Sequence, residues 1–259
     1  MRIDCGTPDL ALKSLSDVFN VDVNRIRLTL QTVKLDDIYL NAYKEMNEDS
    51  CIDSFIHNWL CSKLNSQPSN PQYVAWFHFT KTFDFDSFLK NGLLPTDKAL
   101  PIIKKDIYRF VASRWTAEKR DDIWQQAIDD LPSNDKIKFF PLLGGMPDLG
   151  PNGMLVKDVG LYPERSSVGE FQKRPEMVEG ILRTIDKKHG TFLFDNFEKE
   201  GQSCVVTFLT HLDRELYRLT SSILGYLHGY FHDEYKLDGQ ENYDAEILLL
   251  RHKRYSKLN

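Results

Sequence analysis

Tyr73-Val-Ala-Trp-Phe-His-Phe-Thr80, followed closely by Asp84-Phe-Asp-Ser-Phe-Leu-Lys-Asn-Gly-Leu-Leu94, is the stretch whose reading decides the fold. As a strand it sends alternate side chains to opposite faces, with Tyr73, Ala75, Phe77 and Phe79 on one and Val74, Trp76, His78 and Thr80 on the other. A strand that is apolar on both faces is buried on both. His78 and Thr80 interrupt that pattern, side by side on one face near the strand end. Two readings follow: a core histidine hydrogen-bonded to a neighbour, or a polar pair that holds a ligand.

The chain has 259 residues, 41% of them hydrophobic and 12% aromatic, enough for one large domain or a small unit beside a medium one. Its formal charge of -5 and pI near 5.8 argue against a generally basic, nucleic-acid-coating surface. The four cysteines, Cys5, Cys51, Cys61 and Cys204, are scattered and form no C-x-x-C pair, so neither a disulfide framework nor a structural zinc site is expected. No apolar run approaches the length of a membrane span. The expectation is a cytoplasmic protein without membrane partners.

Working outward from the opening strand, Asn65 to Pro71 is the best linker, and it divides the sequence into residues 1–70, a helical N-terminal extension, and 71–259. Thr7-Pro8-Asp9 is a helix start, with a hydroxyl cap, a proline at the first helical position and an acid in the first turn. Ile26, Leu28 and Leu30 alternate with polar residues and leave strand and helix both open. Ser50-Cys-Ile-Asp53 resembles a capping box before the apolar stripe of Ile52, Phe55, Ile56, Trp59, Leu60 and Leu64. Downstream, Asp84 or Asp86 is expected to cap a short helix with Phe85, Phe88 and Leu89 buried, closed by Gly92. Residues 97–131 read as helical. Ile137–Leu143, Met154–Val159, Phe192–Phe194, Cys204–Leu209 and Tyr243–Leu250 read as strands, and Pro175–Ile185 and Arg214–Tyr230 as helices. The glycine-rich Gly144–Gly153 lacks both the P-loop ending and the dinucleotide fingerprint and reads as a surface loop.

Glu246 is the second unusual residue, a carboxylate sharing a strand face with Leu248 and Leu250, where burial is costly unless something pairs with it. Three pieces stand in order: His78-Phe79-Thr80 on a strand, a short helix running Phe88-Leu89-Lys90-Asn91-Gly92-Leu93-Leu94, and Ala245-Glu246-Ile247-Leu248-Leu249-Leu250 on a late strand. In this order they resemble the mono-ADP-ribosyltransferases, most closely the toxin-like members of toxin–antitoxin and phage-defence systems, over residues 73–254.

The resemblance implies an α+β fold, an ADP-ribosyltransferase-like split β-sandwich with flanking helices, over 71–259. It implies NAD+ as co-substrate and no metal. His78 would hydrogen-bond a ribose hydroxyl of NAD+, Thr80 would help fix the nicotinamide end, and Gly92 would close the helix beside the cofactor. Glu246 would bond the nicotinamide-ribose 2′-hydroxyl and stabilise the cation that develops as nicotinamide leaves. The family's middle residue has Tyr162, Tyr108 and the pair Ser166-Ser167 as candidates. Asp244, two before the glutamate, is neither the Gln nor the Glu that arginine- or asparagine-modifying members often carry, so no arginine acceptor is inferred. His189-Gly190-Thr191 matches a motif of other branches but lacks the helix that should follow, and reads as a turn before a strand. The implied partners are a nucleic-acid or protein acceptor and an antitoxin or inhibitor protein. An NAD+ glycohydrolase or phosphotransferase on the same fold, or a binding module with structural His78 and Glu246, are the alternatives. His228 and His232 share a helix face at metal-ligand spacing but have no obvious third ligand, and read as solvent-facing residues near a helix end. Lys104, Lys105, Arg109, Arg114, Lys119, Arg120 and residues 251–254 supply basic charge, interspersed with acids, read as a solvated face before a nucleic-acid groove.

Overall fold

The structure, a computed structural model, describes residues 1–45, 51–94, 96–133, 153–161, 176–212 and 216–232. It is a mixed α/β arrangement, mostly helical, with a small three-stranded sheet. Strand β1 (Arg2–Ile3) leads to helices α1 (Pro8–Phe19), α2 (Val23–Thr32), α3 (Leu35–Glu45) and α4 (Ile52–Leu64). Then come the long strand β2 (Tyr73–Thr82), α5 (Asp86–Asn91), α6 (Thr96–Tyr108), a 3-10 turn (Arg109–Val111) and α7 (Ala117–Asp129). The order closes with α8 (Asp158–Leu161), α9 (Glu176–His189), α10 (Leu193–Glu200), β3 (Gln202–His211) and α11 (Leu216–His232). The strands lie in the order β1-β2-β3, and β1 runs parallel to β2 with Arg2 opposite Tyr73 and Ile3 opposite Val74.

The chain forms two compact units, and they do not divide at residue 70. The first holds β1, α1 to α4, Tyr73–Phe77 of β2, α8, Thr207–His211 of β3, and α11. Here the N-terminal helices are not an appendage, because α1, α2 and α4 all pack on α11. Its core joins Leu12, Leu15, Val18 and Phe19 with Ile26, Leu30, Ile56, Leu60 and Leu64, and with Leu219, Ile223, Leu224 and Leu227 of α11, all buried. The start of α1 follows its sequence: Thr7 accepts from the Leu10 N–H, and Asn20 ends the helix in a left-handed conformation at φ 49°. α2 is a helix because its buried residues, Ile26 and Leu30, are one turn apart, while Leu28 between them is 61% exposed.

The second unit holds His78–Thr82 of β2, α5 to α7, α9, α10 and Gln202–Val206 of β3. Its core is aromatic and branched, with Ile107, Tyr108, Trp115, Ile123, Trp124, Ile181, Leu182, Ile185, Phe194 and Phe197 buried together. Burial of that apolar surface is the main stabilising term.

Several local expectations change. Phe192–Phe194 is not a strand: Leu193 opens α10, and both Leu193 and Phe194 are buried on its inner face. Met154–Val159 is not a continuous strand either. Met154 bridges Phe77 through a reciprocal pair of backbone bonds (2.8 and 2.9 Å) and Val156 bridges Cys5, after which α8 begins at Asp158. The start of α5 is set by a turn in which Asp84 accepts from the Asp86 N–H, and Phe85 is the cap residue. None of the residues of α5 is buried; Phe85 is 47% and Leu89 86% exposed. α4 begins after Cys51, whose side chain makes no capping bond. The strands expected at Ile137–Leu143 and Tyr243–Leu250, and most of the glycine-rich loop, lie outside the described residues.

Candidate functional site

Strand β2 is buried on both faces only in its first half. Val74, Ala75, Trp76 and Phe77 are all buried, and the Trp76 indole N–H donates to the Thr210 hydroxyl at 2.8 Å. From Phe77 onward the strand alternates: Phe77, Phe79 and Lys81 are buried, while His78, Thr80 and Thr82 are half-buried. His78 and Thr80 therefore share one partly open face, in the second unit, with an imidazole and a hydroxyl two residues apart.

The opposite face of the same half-strand carries a buried lysine. The Lys81 ammonium donates to the Glu198 carbonyl at 2.5 Å, in the last turn of α10, where a cation meets the negative end of the helix dipole. Burial lowers the Lys81 pKa, and the nearby Glu198 opposes that shift. Lys81 thus ties β2 to α10 and faces away from His78.

After β2, Gly92 ends α5 with φ 68° and ψ -166°, and its N–H donates to the Phe88 carbonyl. That backbone region is essentially restricted to glycine. Tyr108 sits inside the helical core instead of on the β2 face. Its ring packs edge-on against Trp124, and its hydroxyl donates to the Arg120 carbonyl. Burial, and next Asp121, push the phenol well above its usual range. Tyr162, Ser166-Ser167, Asp244 and Glu246 lie outside the described residues. The structure thus brings His78 and Thr80 together on one face and commits Tyr108 to packing.

Three further polar arrangements are present. Asp186 near the end of α9 accepts from the Thr191 hydroxyl (2.5 Å) and the backbone N–H groups of Leu193 (2.8 Å) and Phe194 (2.9 Å). It thereby caps α10, whose own cap residue Phe192 has no side chain able to do so. His228 and His232 do not face solvent as a free pair. Their rings stack with centroids 4.1 Å apart, and their Nε2–H groups donate to the Val33 (3.0 Å) and Leu30 (3.1 Å) carbonyls at the end of α2. Among the described residues no group of three or more His, Cys, Asp or Glu is placed to hold a metal ion, and no helix is long and apolar enough to cross a membrane.

The third arrangement is a groove of about 310 Å³ in the first unit, lined by Ser54, His57, Asn58, Pro68, Asn70, Leu216 and Tyr217. His57 Nδ1 lies 2.7 Å from the Thr220 hydroxyl oxygen. Burial lowers the pKa of this imidazole. Three of the basic residues between 104 and 120 are engaged locally: Lys104 pairs with Asp121 and Arg109 with Glu200, while Arg114 donates to the His189 and Gly190 carbonyls. No protein-family model, no curated protein and no solved structure matches this chain, so its chemistry rests on the residues themselves.

Proposed function

We propose that the chain is an NAD+-dependent mono-ADP-ribosyltransferase, an intracellular toxin or phage-defence effector that modifies a nucleic-acid base, on the split β-sandwich of that family. The observation that supports this reading is the alternation on β2. It leaves an imidazole and a hydroxyl on a half-open face while every second side chain is buried. An imidazole and a hydroxyl two residues apart on one face are the kinds of group that hydrogen-bond a ribose. Gly92, in its glycine-only conformation after the next helix, is the second supporting feature.

In this reading His78 acts by positioning. It holds a ribose hydroxyl in one pose and need not transfer a proton, which is where orientation lowers the barrier. Thr80 adds a second hydrogen bond beside it. Glu246 places a carboxylate where positive charge develops on the sugar as nicotinamide departs, an electrostatic contribution made only at the transition state. NAD+ itself supplies the activated glycosidic bond.

The test is incubation of the protein with NAD+ labelled in its ADP-ribose part, together with RNA, DNA or a protein extract. Label is expected on nucleic acid. Glu246→Gln should lower the rate at least about 100-fold, because a transition-state charge contact is lost. His78→Ala should lower kcat/KM by about 100-fold through lost positioning. Nicotinamide release with no labelled acceptor would mean a glycohydrolase instead. Failure to bind or consume NAD+, with Glu246→Gln changing only stability, would end the enzyme reading.

A further inference from the structure

The groove beside His57 is lined by hydrogen-bonding side chains and one aromatic ring. Its lining comes from three places in the first unit: Ser54, His57 and Asn58 on α4, Pro68 and Asn70 in the linker, and Leu216 and Tyr217 at the start of α11. Among the described residues none of these side chains carries a formal charge when His57 is neutral. The lining itself offers no cation for a phosphate or carboxylate, and the Arg218 guanidinium stands 5.9 Å from the centroid of the Tyr217 ring. The lining suits a flat, neutral, hydrogen-bonding molecule. A volume of about 310 Å³ is at the lower end for small-molecule sites.

The hydrogen bonds fix what His57 offers. The Thr220 hydroxyl lies 3.1 Å from the Leu216 carbonyl and 3.0 Å from the Tyr217 carbonyl, to which it donates. Its oxygen is then an acceptor for His57, so the proton of the neutral imidazole sits on Nδ1. Nε2 is then the acceptor nitrogen of a ring that lines the groove. Asn58 and Asn70 each add a carboxamide, which offers a donor and an acceptor side by side, and Tyr217 adds an aromatic ring.

We infer that this groove binds a nucleobase carrying an exocyclic amine, adenine before the others. The matching features are the paired donor and acceptor of an Asn carboxamide, which complement adenine N7 and N6–H, the His57 Nε2 acceptor for the second N6–H, and a ring for stacking. The site stands independently of ADP-ribosyl transfer, since none of its residues belongs to the His78 face. A free nucleoside and a base in a single strand present the same chemistry.

The full chain is titrated with adenosine, uridine, ribose 5-phosphate and a short oligo(dA), with the His57 and Tyr217 resonances as readout. Adenosine should bind at least about tenfold tighter than uridine, the ratio expected of one good amide–base pair. Ribose 5-phosphate should leave the groove resonances unmoved. Asn58→Asp and Asn70→Asp remove an amide donor at exposed positions where folding is not at stake, and one of them should weaken adenosine at least about fivefold. His57→Phe keeps a ring near Phe19 and should also weaken it. Oligo(dA) binding tighter than adenosine identifies a strand as the source; adenosine alone identifies a nucleoside. Equal binding of uridine or ribose 5-phosphate, unchanged binding in all three variants, or no shift of the groove resonances with any nucleoside overturns the proposal.

Discussion

Two glycines illustrate how a single residue becomes irreplaceable for opposite reasons. Gly92 has open space where a Cβ would be, so its constraint is the backbone angle alone. Gly201 has an ordinary φ of -71°, but a Cβ there would lie 2.8 Å from the Phe197 carbonyl oxygen and 2.9 Å from Lys81 Cγ. Gly92→Ala should cost about 1–3 kcal/mol from backbone strain. Gly201→Ala should cost about 1–3 kcal/mol from overpacking. Shortening Lys81 in the same chain should not rescue Gly201→Ala, since the closer atom is backbone; urea denaturation of the three variants measures this. His57 gives a pH-dependent term at the same scale. Burial holds its folded pKa below the ordinary 6.5, so the unfolded chain takes up the proton first as the pH falls. Its contribution to stability is therefore full above about pH 6.5 and is lost as the pH drops toward the folded value. His57→Gln should lose less stability than the parent between about pH 7.5 and pH 5.5, read from urea midpoints at each pH.

At the scale of elements, α10 is the most instructive. Its cap is Asp186, six residues before Phe192, and that carboxylate serves two first-turn N–H groups and the Thr191 hydroxyl. Asp186→Ala should destabilise by about 2–4 kcal/mol, because it leaves buried donors without an acceptor. Asp186→Asn, which keeps one carbonyl oxygen, should cost less; thermal melts of both variants distinguish a cap from a packing role. The same arrangement explains why the sequence reads wrongly here. Thr191-Phe-Leu-Phe194 has the composition of a strand and no local cap, so a helix start supplied from the preceding helix leaves no signal in a short window. α1 was legible because Thr7, Pro8 and Asp9 are adjacent and act on their own helix. α5 misled in the other direction: Phe85, Phe88 and Leu89 fit a buried stripe by spacing, yet the helix buries none of its residues. In β2 the alternation was correctly readable, including the shared face of His78 and Thr80, because a period of two needs no distant partner to be seen. The fate of the Tyr108 hydroxyl was not readable, since Arg120 reaches it from a different helix. Glu246 was proposed from sequence order and lies outside the described residues.

At the scale of the whole molecule, the two units share strands, with the chain passing from one to the other within β2 and again within β3. A single cut in the Asn65–Pro71 linker therefore separates no unit. A fragment of residues 71–259 would carry α11 with Leu219, Ile223, Leu224 and Leu227 stripped of α1, α2 and α4. It should aggregate or bind a hydrophobic dye, while the fragment supplied together with residues 1–70 should recover helical circular dichroism. Independent folding of 71–259 to a cooperative, monomeric state would contradict this account. The two histidines that seal the end of α2 reach it from 195 and 202 residues further along the chain. A ribosome adding about 5–20 residues per second needs roughly 10–40 s to cover that distance. For that interval the earliest helices have been made and their closing partner has not, so the apolar faces that α1, α2 and α4 turn to α11 wait uncovered on every molecule synthesised.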